Sequence, residues 1–118
     1  MMLIIGGAGP GKLDYARENN RCGPAQVART PEEARTKPIF AGLEQWPELD
    51  ENELLSANPE IVLICDEVGC GVVPVDPAQR KRREQVGRLC CRLAKRAERV
   101  ERIFCGLPMV LKGEGPWN

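Results

Sequence analysis

Hydrophobic residues fall along this chain in two patterns. The first is the short, continuous run: Leu3–Ile5, Ile39–Leu43 and Ile61–Cys65 show no alternation of apolar and polar positions. Runs of this kind suit strands buried on both faces, as in a parallel sheet covered by helices. The second pattern has spacings of three and four, and it is longest at Val86, Leu89, Cys90, Leu93, Ala94, Ala97 and Val100. That spacing predicts a helix with one buried face. Arg102–Gly106 and Leu107–Lys112 then read as a closing pair of strands, broken near Gly106-Leu107-Pro108. Together the patterns predict an α/β fold with Leu3–Ile5 and Ile61–Cys65 as interior parallel strands.

Punctuation residues place the other elements. A short helix after Lys12 is stopped by Asn19-Asn20 and Gly23-Pro24. Ala25–Arg29 fits a brief strand. Thr30-Pro31-Glu32-Glu33 has the form of a capping box with Pro at the first helical position, and Pro38 ends that turn. Asp50 and Glu53 open a helix through Leu54, Leu55 and Ala57, which Asn58-Pro59 stops. Gly69-Cys70-Gly71-Val72-Val73-Pro74 is a glycine-punctuated loop, after which Asp76 caps the long helix with Pro77 behind it.

Candidate chemistry sits where the two longest apolar runs end. After Leu3–Ile5 come Gly6, Gly7, Ala8, Gly9, Pro10, Gly11, Lys12 and Leu13, leading into the first helix. Strand, glycine loop and helix N-terminus are the parts of a phosphate-binding loop. Backbone N–H groups turn toward an anion, the helix dipole adds partial positive charge, and Lys12 reaches terminal phosphates. Gly6, Gly11 and Lys12 fit G-x-x-x-x-G-K, but Leu13 stands where Ser or Thr would hold Mg²⁺. A glycine-rich turn that only joins strand to helix is the plain alternative. At the end of Ile61–Cys65 lie Asp66 and Glu67, where open α/β sheets bind ligands. An acid after four aliphatics also describes the strand that orients hydrated Mg²⁺ in nucleotide-binding folds, making both carboxylates candidate metal ligands.

Composition narrows the possibilities. At 118 residues and 42% hydrophobic content, a single domain over residues 1–118 is the natural count. Seventeen basic residues balance seventeen acidic ones, so nothing global points to nucleic acid or anionic lipid. No signal-like segment or membrane-length apolar run is present, which leads to the expectation of a soluble, cytoplasmic protein without a membrane partner. The six cysteines, Cys22, Cys65, Cys70, Cys90, Cys91 and Cys105, form no C-x-x-C pair, and the chain has no histidine. Buried or incidental thiols are therefore preferred over a metal site. The lack of histidine also removes the commonest general base and the usual nucleotidyl-enzyme nucleophile. Arg80, Lys81, Arg82, Arg83 and Arg88 make the first half of the long helix basic. A solvated face is the ordinary reading, and a rim facing phosphates or a neighbouring subunit is the sharper one.

Several runs resemble one family. Glu67-Val68-Gly69-Cys70-Gly71-Val72-Val73-Pro74, then Arg80, Arg83, Gly87-Arg88-Leu89, Arg92-Leu93-Ala94, Gly106-Leu107-Pro108 and Lys112, are similar to the C-terminal half of bifunctional adenosylcobinamide kinase/adenosylcobinamide-phosphate guanylyltransferases. Leu3–Ala8 with Gly11-Lys12 resembles the phosphate loop of the same enzymes, which act late in adenosylcobalamin assembly. The resemblance covers residues 1–18 and 60–113. It implies a P-loop NTPase-like, RecA-like fold with a mostly parallel sheet and flanking helices, a site for GTP or ATP, a corrinoid substrate and commonly a trimer. It also makes Lys12 and Glu67 the candidate catalytic residues, with Asp66 and Glu67 toward Mg²⁺.

The departures matter as much. Family members are longer, and the segment missing between Ala28 and Pro38 would carry the histidines of guanylyl transfer. Leu13 weakens the Mg²⁺ site, Cys90-Cys91 replace the family's Asn-Gln, and Arg82 replaces a Phe. Three functions stay open on these grounds. The leading one is a divergent member that binds a nucleotide or phosphate and has lost guanylyl transfer. The others are an active cobinamide kinase and a non-catalytic structural or regulatory subunit.

Overall fold

A computed structural model describes residues 1–7, 9, 11–67 and 76–113. Ten regular elements follow in the order β1 (Met2–Gly6), α1 (Gly11–Asn20), β2 (Val27–Ala28), α2 (Pro31–Ala34), β3 (Ile39–Ala41), α3 (Glu51–Ala57), β4 (Val62–Asp66), α4 (Pro77–Arg96), β5 (Arg99–Phe104) and β6 (Leu107–Lys112). The strands form one six-stranded sheet in the order β2-β3-β4-β1-β5-β6. All pairings are parallel except β5 with β6, which is an antiparallel hairpin.

The predicted interior strands are the interior strands. β1 is flanked by β4, with Leu3 opposite Leu63, and by β5, with Leu3 opposite Val100. Successive β1 side chains go to opposite faces, and each face has its own core. Leu3 packs with Phe40, Leu63, Leu54, Val86, Leu89 and Leu93 beneath α2, α3 and α4. Met2 and Ile4 pack with Val27, Ile39, Ile64 and Ala16 beneath α1. Both faces are covered, which is why the strands read as unbroken apolar runs.

The caps behave as their residue types require. Asp50 accepts from the backbone N–H groups of Asn52 and Glu53 to open α3, and Asp76 accepts from Ala78 N to open α4. Thr30 Oγ1 accepts from Glu33 N at 3.2 Å, and the Glu33 carboxylate reaches back to the backbone N–H groups before the helix, chiefly that of Arg29 at 2.9 Å.

Four expected boundaries move, the first being the closing strand, which runs Arg99–Phe104 instead of Arg102–Gly106 because Cys105 and Gly106 form the turn. The long helix stops at Arg96, and Val100 lies on β5 instead of the helix face. Ala97 turns to extended backbone and Glu98 N donates to Met1 O, so the sheet claims the chain although the apolar spacing continues. The run Ile39–Leu43 is strand only to Ala41, because Gly42 adopts φ 84° and Leu43 starts a 3-10 turn. Ala25–Arg29 shortens to the two residues of β2.

Candidate functional site

The chain's connections reverse sense between two adjacent strands. α1 leaves β1 for one face of the sheet, and α4 follows β4 on the other. Loops after such neighbours diverge and open a crevice at their carboxyl ends, the usual ligand position in doubly wound sheets. Here β1 ends at Gly6 and β4 at Asp66, and those two residues are register partners.

Lys12 lies in the first turn of α1 and folds back over this point. Its side chain is only 3% exposed, yet its Nζ is 2.7 Å from Asp66 Oδ1. It also donates to the carbonyl of Gly7. A buried ammonium needs such partners, since an uncompensated charge away from water costs several kcal/mol. Gly6 makes the fold-back possible. A Cβ there would lie 2.7 Å from the Ile103 carbonyl oxygen and 3.2 Å from Lys12 Cδ, so a side chain at position 6 would strike both β5 and the lysine stem. Gly7, Gly9 and Gly11 are exposed, with open space where a Cβ would be, and Gly9 takes φ 130°. Ala8 and Pro10 lie outside the described residues. Leu13 points its bulk into the α1-side core, not toward the crevice.

The carboxylates divide. Asp66 faces Lys12, and its backbone N–H donates to Glu44 Oε1 at 2.9 Å. Glu67 N donates to Gly6 O at 2.6 Å, which ties the strand ends together. The Glu67 side chain turns the other way and accepts from Arg102 Nε at 3.1 Å. Arg102 in turn stacks over Phe104, 5.5 Å from its centroid. Lys12 and Asp66 are therefore brought together, while Glu67 is engaged with β5. The glycine-rich run 68–75 is outside the described residues.

As donors to Mg²⁺ these residues fit poorly. The ion demands near-octahedral oxygen coordination. Leu13 supplies no oxygen, and Asp66 and Glu67 are each already bound to a cation. Among the described residues no group of three His, Cys, Asp or Glu side chains could hold a metal. A phosphate fits better, because its oxygens offer Lys12 the same kind of acceptors that Gly7 and Asp66 now provide.

Three features escaped the sequence reading. Glu44 reaches the end of β4 from the turn after β3, across 22 residues. Glu101 is 1% exposed, bonded by Tyr15 OH at 2.7 Å and by Arg99 Nε at 3.0 Å. Burial first, then the Glu101 carboxylate, pushes the Tyr15 phenol up to about 12. Finally, Cys90 Sγ lies 3.6 Å from Cys65 Sγ, and that contact together with burial raises the Cys65 thiol. No motif announces any of these, since each joins residues from separate elements.

The family model for cobinamide kinase / cobinamide phosphate guanyltransferase matches residues 43–111, more than half the chain. The chain belongs to this family. The matched span takes in β4, α4 and the β5–β6 hairpin, and begins after the glycine loop. A curated relative, the bifunctional adenosylcobalamin biosynthesis protein CobP of Pseudomonas aeruginosa, is 44% identical over 54 residues. That alignment covers 46% of this chain and 31% of the relative, so the chain spans well under half the length of the protein it matches. No helix among the described residues is long and apolar enough to cross a membrane.

Proposed function

We propose that this chain is a divergent cobinamide kinase/guanylyltransferase-family protein that binds the phosphates of GTP or ATP at Gly6–Leu13. On this reading it serves adenosylcobalamin biosynthesis as one domain over residues 1–118 and does not perform guanylyl transfer through an enzyme-bound histidine. The observation that carries it is Lys12. A lysine buried to 3% exposure at the N-terminus of a helix, beside a strand-end carboxylate, is costly to maintain for packing alone. It is economical if the ammonium is held ready for an anion arriving at the helix N-terminus. Phosphate oxygens would take over the bonds from Gly7 O and Asp66, leaving Asp66 free to meet a cation carried in with the nucleotide. The absence of histidine from the whole sequence removes the usual nucleotidyl acceptor. A cytoplasmic location accords with this reading, because nucleoside triphosphates are there and free thiols stay reduced there.

Calorimetry with ATP and with GTP, each with and without Mg²⁺, tests the proposal. Saturable binding that depends little on Mg²⁺ and is lost in Lys12→Ala is expected. GTP should leave no covalent label on a denaturing gel. No heat with either nucleotide at millimolar concentration would overturn the reading.

A second reading, as a subunit that packs against copies of itself, is favoured by β6. Every residue of that strand is exposed, including Leu107 at 67% and Leu111 at 56%, and its outer edge is unpaired among the described residues. Apolar sheet edges of this kind template pairing with another chain. A homo-oligomer, the trimer implied by the family resemblance, would cover it.

A further inference from the structure

A cavity formed by described residues lies away from Lys12, on the α2–α3 side of the sheet. About 630 Å³ is bounded by Pro31 and Glu32 of α2, by Arg35 just after it, by Gln45–Asp50, and by Glu53 and Leu54 of α3. That is the size of a small-molecule site. Its walls have two characters. Trp46 and Leu49 pack against the main core with one part of their surface and line the cavity with another, and Pro31, Pro47 and Leu54 extend the apolar lining. Around them stand four carboxylates, Glu32, Glu48, Asp50 and Glu53, against one guanidinium, Arg35.

The single cation is committed. Arg35 forms an ion pair with Glu53 across the gap between α2 and α3. Asp50 spends Oδ1 on the α3 cap. Arg82 approaches from α4, but its guanidinium is bound to the Gln45 carbonyl and it does not line the cavity. The lining is thus negative around an indole, and an indole attracts cations over its face. An anion would meet repulsion from Glu32, Glu48 and Asp50, and the guanidinium in the lining already faces Glu53.

We infer that this cavity is a binding site for a small planar organic cation, an amidinium, guanidinium or protonated aromatic amine with an apolar body, seated against Trp46. The apolar walls would hold the body of the ligand, and Glu32 and Glu48 its charge. The inference stands independently of phosphate binding at Lys12.

Three probes of nearly one shape and different charge test it: benzamidinium, neutral benzamide and anionic benzoate. The chain has two tryptophans, so Trp117→Phe leaves Trp46 as the only indole reporter. Benzamidinium should change Trp46 emission saturably, with an affinity at least tenfold better than benzamide, while benzoate should produce no saturable change. Glu48→Gln and Glu32→Gln should each weaken benzamidinium about fivefold, the upper end for one exposed charge interaction. Lys12→Ala should leave the benzamidinium titration unchanged, which separates this site from the phosphate loop. Equal response to all three probes, tighter binding of benzoate, no saturable response to any, or loss of binding in Lys12→Ala would each overturn the assignment. Where Trp46→Ala fails to fold, the two Gln variants and the charge series still decide it.

Discussion

Removing Asp66 should harm the fold more than removing Lys12, although the two side chains form one ion pair. The pair is lopsided: Lys12 is 3% exposed and Asp66 37%. Lys12→Met deletes the buried charge and keeps most of the apolar stem, while the Asp66 carboxylate that remains can hydrate. Removing one partner of a buried pair is costly when the other charge stays buried; the partly exposed Asp66 escapes that penalty, so a change within about 1 kcal/mol is expected. Asp66→Asn instead leaves an ammonium buried with the Gly7 carbonyl as its remaining charge-free partner. Breaking a buried pair in this sense costs about 3–5 kcal/mol, and the half-exposure of Asp66 reduces that here to about 2 kcal/mol. For a chain of this length such a loss lowers Tm by about 10 °C. Ligand binding should move the opposite way. Lys12→Met should abolish binding of inorganic triphosphate, whereas Asp66→Asn should tighten it several-fold by removing the competitor for the ammonium. Urea unfolding followed by circular dichroism gives the first ranking, and calorimetry with tripolyphosphate the second. Equal stability losses for the two variants, or weaker triphosphate binding in Asp66→Asn, would refute the reasoning.

Two further outcomes follow from other parts of the molecule. Tyr15 is the chain's single tyrosine, so its ionisation can be read from absorbance alone. The phenol should titrate near 12 in the folded protein, against 10 in the unfolded chain. Because the folded value is raised, the neutral form stabilises the fold below pH 10 and this contribution is lost between pH 10 and about 12. Tyr15→Phe should show a flatter fall in stability over that window, and a phenol titrating at 10 in folded protein would remove the basis for the claim. Leu107→Lys with Met109→Lys should reduce any oligomer to a monomer in light scattering without lowering Tm by more than a degree or two, since both side chains are already exposed. An unchanged mass would show that β6 is not the contact surface.

The sheet was legible because burial on both faces leaves a mark in one dimension. Leu3–Ile5 and Ile61–Cys65 carry no polar alternation, and they became the adjacent interior strands β1 and β4. Capping residues were equally readable, since Asp50, Asp76 and Thr30 act on N–H groups two or three positions away. Elements were misjudged where a local pattern met a competing claim from farther off. Val100 continued the helical spacing, but its place opposite Leu3 in the sheet decided its conformation.

The site was legible as a set of parts and not as an arrangement. Glycine loop, lysine and strand-end acids each have a sequence signature, and an acid at the end of a strand next to β1 must come near the loop that leaves β1. What no spacing reveals is the allocation of charges. Asp66 takes Lys12 while its neighbour Glu67 takes Arg102, because successive residues at a strand end point to opposite faces. This allocation bears directly on function. In a loop with its hydroxyl, a metal ion could stand between acid and phosphate; here Leu13 contributes to the core and the acid is bound to the lysine itself. Any phosphate must therefore displace a carboxylate from the ammonium it seeks. On the proposed reading, the affinity of the loop would be set by that exchange as much as by the backbone groups, and Asp66 would govern it.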